Sequence, residues 1–119
     1  MIVDRHPPTM KSKLTPMTLI GRAAMDRRFS SAMLPSLLRE IRRNTSREKL
    51  GIAVEDGYLK AYNGNFEPVL VHRLVDIMRA SQVPGSPEEL FYIMYNEAEG
   101  LLNCFLFSAD SDTQVSHLD

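Results

Sequence analysis

Apolar residues recur at helical spacing in two stretches of the chain. Leu34, Leu37, Leu38 and Ile41 stand at i, i+3, i+4 and i+7 and form one stripe. Arg39, Arg42 and Arg43 lie largely off that stripe, so the segment reads as an amphipathic basic helix. Pro35 fits only a first helical turn, which places the helix start near Leu34. The second stripe is Leu70, Val71, Leu74, Val75 and Met78. It predicts a helix from Pro68 to Ala80, with Pro68 in the first turn and Arg79 at the negative end of the dipole. Together these stripes put Leu37, Leu38, Ile41, Leu50, Leu70, Leu74, Val75 and Met78 in the core.

Three shorter segments complete the helical reading. Met17, Ile20 and Ala24 share one side of a short helix over 17–28, which Gly21 weakens. Thr45 and Glu48 stand as a capping box and predict a helix from about Ser46. Ser86-Pro87-Glu88-Glu89 has the cap, the proline and the acid of a helix start; Leu90, Ile93 and Met94 continue it, and Gly100 supplies the stop. Two regions stay open. Residues 52–63 place Asp56-Gly57 between β-formers, a hairpin signal that competes with a helix pair. Residues 101–107 form an apolar strand or helix, and Phe91–Tyr95 is β-prone too. The fold class read from these elements is mostly α, a five-helix single domain, with α+β built on two hairpins as the alternative. Residues 1–16, with three prolines, are expected to be a flexible arm, 17–107 one globular domain, and 108–119 an acidic tail.

Charge changes this picture. Residues 1–50 carry eleven Lys or Arg against four Asp or Glu, a balance of +7, and residues 51–119 carry three against eleven, a balance of −8. A basic half suits an anionic partner such as nucleic acid. Equally, the two halves neutralise each other within one chain or between subunits. The single cysteine, Cys104, cannot make an internal disulfide and suits a reducing, cytoplasmic setting. No apolar run approaches the ~20 residues of a membrane span, so no membrane partner is expected. His6, His72 and His117 lack metal-ligand spacing, and no phosphate-binding glycine loop is present, so neither metal nor cofactor is expected. No nucleophile and base can be paired, which argues against an enzyme.

Over roughly residues 37–95 the order of elements resembles the helix-turn-helix domain of the lambda repressor and Cro class. Leu38-Arg39-Glu40-Ile41-Arg42-Arg43 stands for the opening basic helix, and Ser46-Arg47-Glu48-Lys49-Leu50-Gly51 for the start of the second. Tyr62-Asn63-Gly64 followed by Pro68 stands for the end of the recognition helix, and Pro87-Glu88-Glu89-Leu90 for the closing segment. The resemblance implies a dimeric, DNA-binding transcriptional regulator on double-stranded DNA. Arg39, Arg42, Arg43, Arg47 and Lys49 would contact phosphates, and Tyr58, Lys60 and Asn63 would face bases. Lys11 and Lys13 of the arm would add sequence-independent affinity. The apolar run at 101–107 supports the homodimer.

The sequence departs from that family at the turn, where about three residues are missing between Val54 and Glu55. Glu55-Asp56-Gly57 opens the recognition segment with charge that repels phosphate. These departures favour the alternative: a small protein-binding adaptor or inhibitor, of phage or plasmid type or an antagonist of a regulator, that binds an acidic or basic protein partner and no DNA.

Overall fold

Strands, not helices, dominate the chain. The computed structural model describes residues 14–44 and 47–109. Among them are β1 (Thr15–Met25), α1 (Leu34–Arg43), β2 (Glu48–Glu55), β3 (Tyr58–Tyr62), β4 (Pro68–Arg73), β5 (Ile77–Val83), β6 (Ser86–Asn96) and β7 (Leu101–Ala109). One antiparallel sheet takes all seven strands in the order β4-β3-β2-β1-β7-β6-β5. This overturns the five-helix, helix-turn-helix reading: among the described residues only α1 is an α-helix, and it begins at Leu34 with Pro35 in its first turn, as its stripe predicts.

The sheet curls without closing. In strand order β4 and β6 are five spacings apart, roughly 24 Å in a flat sheet. Yet His72 Nδ1 on β4 lies 2.8 Å from the Tyr92 hydroxyl on β6. The curl creates an inner and an outer face. On the inner face Met17, Leu50, Ile52, Ala61, Tyr92, Met94, Phe105 and Phe107 form one buried cluster. On the outer face Ile20, Phe91, Ile93, Leu102, Cys104 and Leu106 pack under Leu34, Leu38 and Ile41 of α1. Strands β6 and β7 therefore bury both their faces, and such strands read as unbroken apolar runs rather than alternation. That is why Leu90, Ile93 and Met94 pass for a helical stripe and 101–107 shows no clear period. It also removes the argument for a homodimer, because Leu102, Cys104, Phe105, Leu106 and Phe107 are all buried within this chain.

Each helix that fails has a local cause. In β1 the register shifts between Leu19 and Gly21. Met17 packs inward and Ile20 outward, as an odd spacing on a strand requires, while across the shift Ile20 and Ala23, three residues apart, share the outer face and so imitate a helix. The segment from about Ser46 is β2; Thr45 and Ser46, its proposed caps, lie outside the described residues. The stripe over 68–80 is two strands joined by a 3-10 turn at Leu74–Asp76. Val69, Val71 and Val75 are β-branched, which favours extended backbone over helix. Of the predicted core, Leu38, Ile41 and Leu50 are buried and Leu37 and Leu70 half-buried, but Leu74, Val75 and Met78 are 38%, 81% and 65% exposed. Ser86-Pro87-Glu88-Glu89 begins β6: β7 pairs with it only from Glu89, so Pro87 interrupts no ladder on that side. Gly100, at φ +69°, closes the β6–β7 turn rather than a helix.

The hairpin over 52–63 forms. Asp56 and Gly57 both take positive φ, +54° and +82°, the conformation a two-residue hairpin loop requires. Thr15 and Pro16 belong to β1, and Ser108 and Ala109 to β7; residues 1–13 and 110–119, including Lys11 and Lys13, lie outside the described residues. No described helix is long and apolar enough to cross a membrane. The opposite charges of the two halves meet within the chain where Arg42 on α1 forms an ion pair with Glu89 on β6.

Candidate functional site

Strands β4 and β5 are the two ends of the sheet, each hydrogen-bonded on one side only. Every second residue on the free side presents backbone donors and acceptors to solvent, a template for another strand. The two edges are not equivalent. β4 opens on Pro68 and has a register shift opposite Ala61 and Tyr62, both of which blunt an edge. β5 carries no proline from Ile77 to Val83, and Met78, Arg79, Ala80 and Gln82 are exposed along it.

Beside β5 the inner face is not filled. A depression of about 390 Å³ lies between β5 and the opposite wing of the sheet. Leu74, Ile77, Ala80 and Leu90 form its near wall, and Ile52, Val54 and Leu59 its far wall. Its floor is aromatic: Tyr92 stacks on Phe107 with ring centres 6.0 Å apart, and on Phe105 at 5.0 Å. The corner that leads into β5 is held firmly. The Leu74 amide donates to the Gly57 carbonyl at 2.9 Å, and the Arg73 guanidinium makes two bonds of 3.0 and 3.1 Å to the Asp76 carboxylate. On the other side of β5, Arg79 lies over the Phe91 ring at 5.3 Å and donates to Ser31 Oγ at 3.1 Å. The strand is thus anchored at its entry and at Arg79 while its edge stays open. An arrangement of this kind binds extended backbone and a small apolar side chain.

The residues assigned to DNA are not brought together. Arg39 donates to Ser36, Arg42 pairs with Glu89, and Arg43 lies 3.6 Å from Glu40, all on or beside α1 on the outer face. Arg47 precedes β2, and Lys49 lies on β2 opposite Thr18. Tyr58 and Lys60 share β3, where the Lys60 ammonium sits 5.9 Å from the Tyr58 ring and 3.6 Å from Glu55. Asn63 organises the β3–β4 turn, its Oδ1 accepting from the Asn65 and Glu67 amides at 2.8 and 3.0 Å. With no recognition helix, Tyr58, Lys60 and Asn63 cannot enter a groove as that motif does, and the DNA-regulator reading falls with the fold. β5 and its neighbouring depression are hidden in the sequence because Leu74 and Met78 fit the spacing of a helix core. Their β-branched neighbours Val75 and Ile77 were the available signal.

No protein-family model matches the chain, and no curated protein matches it. A solved structure does. The chain is similar to the solution structure of the C-terminal phosphotyrosine interaction domain of mouse APBB2, with a TM-score of 0.70 and 14% sequence identity. The match covers 99% of this chain and 90% of that one. At this identity the likeness shows a shared fold.

Proposed function

We propose that the chain is a protein-interaction module that captures an extended peptide along the free edge of β5, residues 17–107 acting as one unit. The observation that carries this reading is the pairing of a proline-free edge with an apolar depression at its side. Added strands gain affinity from main-chain hydrogen bonds and specificity from pockets that take alternate side chains. An apolar residue of the peptide enters between Ile77, Ala80 and Leu90. The fold shared with a domain named for phosphotyrosine interaction supports the class of function. The β5 edge itself demands only an extended partner, with or without phosphate. The role is binding rather than catalysis, in the reducing cytoplasm that the lone buried Cys104 suits.

A displayed library of random peptides tests the proposal, enriched sequences being synthesised with tyrosine and with phosphotyrosine. Backbone amide shifts are expected along Ile77–Val83 on titration, and Ile77→Glu is expected to abolish binding while leaving the domain folded. Shifts confined to β4 or α1, or binding indifferent to Ile77→Glu, would overturn it.

A further inference from the structure

The inner face has a second opening, at the end where β1 and β6 leave the aromatic stack. A half-open depression of about 370 Å³ is bordered there by Arg22, Ala23, Ala24, His72, Met94 and Phe105, with Asn103 at the base and Asn96 and Glu99 at the rim. That volume is at the lower end of what small-molecule sites enclose. Its chemistry differs from the rest of the face. Arg22 has no carboxylate within 4 Å among the described residues, and its guanidinium lies 5.7 Å from the centre of the Phe105 ring. The Asn103 side chain buries an amide nitrogen that has no hydrogen-bond acceptor among the described residues. A buried donor left unmade costs on the order of 1–3 kcal/mol, so its persistence asks for an explanation.

We propose that this cavity binds a small organic carboxylate: a monoanion on Arg22 and Asn103, with an apolar body against Met94 and Phe105. A carboxylate accepts two parallel bonds from a guanidinium and has lone pairs left for the Asn103 amide. Glu99 at the rim discriminates against a second negative charge, so inorganic phosphate is the weaker ligand. His72 does not duplicate Arg22: burial, and then the charge of Arg22, push its pKa down, and its Nδ1 is engaged by Tyr92. The site lies at the opposite end of β6 from the β5 depression, on Met94 and Asn96 rather than Leu90, and does not depend on peptide binding.

The test uses benzoate, neutral benzamide and inorganic phosphate as probes of the isotopically labelled full chain. Benzoate is expected to shift the Asn103 side-chain amide and the Ala23 and Ala24 backbone amides saturably, with benzamide leaving them in place. Arg22→Met should weaken benzoate by about tenfold or more, the loss of one charged bidentate contact. Asn103→Leu removes the orphaned donor and should weaken benzoate while the domain stays folded, read by circular dichroism. Equal response to benzamide, no saturable response to benzoate, or a response unchanged in Arg22→Met would overturn the proposal. Phosphate binding tighter than benzoate would overturn its carboxylate assignment.

Discussion

The two faces of the curled sheet are built from the same strands and end in opposite conditions. On the outer face α1 lays Leu34, Leu38 and Ile41 over Ile20, Phe91 and Leu106, and the surface is closed by the chain itself. On the inner face Tyr92, Phe105 and Phe107 are buried, yet open depressions remain on either side of them. Alternate residues of one strand serve both: Phe91 and Ile93 face out, Tyr92 and Met94 face in. The closed core and the open depressions are thus separated by a single step along the backbone. Substitutions on the outer face should be read in unfolding free energy, and those at the inner openings in ligand response.

The largest contrast is expected from Phe91→Ala. Phe91 is fully buried beneath Arg79, and truncation should cost ~3–5 kcal/mol in urea unfolding. Next comes a pair of identical chemistry. Leu38→Ala should cost ~2–5 kcal/mol, whereas Leu74→Ala at the rim of the depression should cost under about 1 kcal/mol and weaken the peptide instead. Equal losses in the two would mean that the faces are not energetically distinct.

Acidification should sharpen the comparison, because the titratable group sits on the inner face. The pKa of His72 is depressed in the fold, chiefly by burial and then by Arg22, with Asp76 opposing. Its contribution to stability is therefore complete above the ordinary histidine value near 6.5. It is lost as pH falls below that value, where the unfolded chain takes the proton more readily. Melting temperature should drop between pH 7.5 and 5.5 in the wild type and drop less in His72→Gln. Cys104, on the outer face, has its thiol pushed up to about 12 by burial, and should resist thiol reagents until the domain unfolds. The smallest effect is expected from Val75→Ser. At 81% exposure it should alter stability by no more than about 0.5 kcal/mol.

These same residues explain what was legible beforehand. Helix α1 could be read because one face is buried and the other solvated, so its stripe and Pro35 both speak. The β2–β3 hairpin could be read because Asp56-Gly57 meets a local steric demand. The remaining strands were hidden by tertiary context. The register shift in β1 changes which face its apolar residues serve, and burial on both faces erases alternation in β6 and β7. In β4 and β5 a 3-10 turn joins two half-exposed strands, and the combined spacing counterfeits a helix. The candidate site was less accessible still. Arg22 and Asn103 meet on the paired strands β1 and β7, His72 reaches them only through the curl, and the β5 edge is defined by strand order, which no local pattern encodes.

The register of β1 against β7 bears on how the molecule comes into being. Met17 pairs with Ala109 and Met25 with Leu102, so the central seam joins nearly the whole span of the described chain. Hairpins such as β2–β3 and β6–β7 need only local closure, but the seam must bring together segments separated by all the other described strands. Chains dominated by such distant pairings fold in roughly milliseconds to seconds rather than microseconds. During synthesis the apolar inner residues of β1 and β2 precede β7, and wait for it to emerge before both walls of the seam exist. The nascent domain passes through a period in which its future interior is open to other chains, and its hazard lies there rather than in the finished fold.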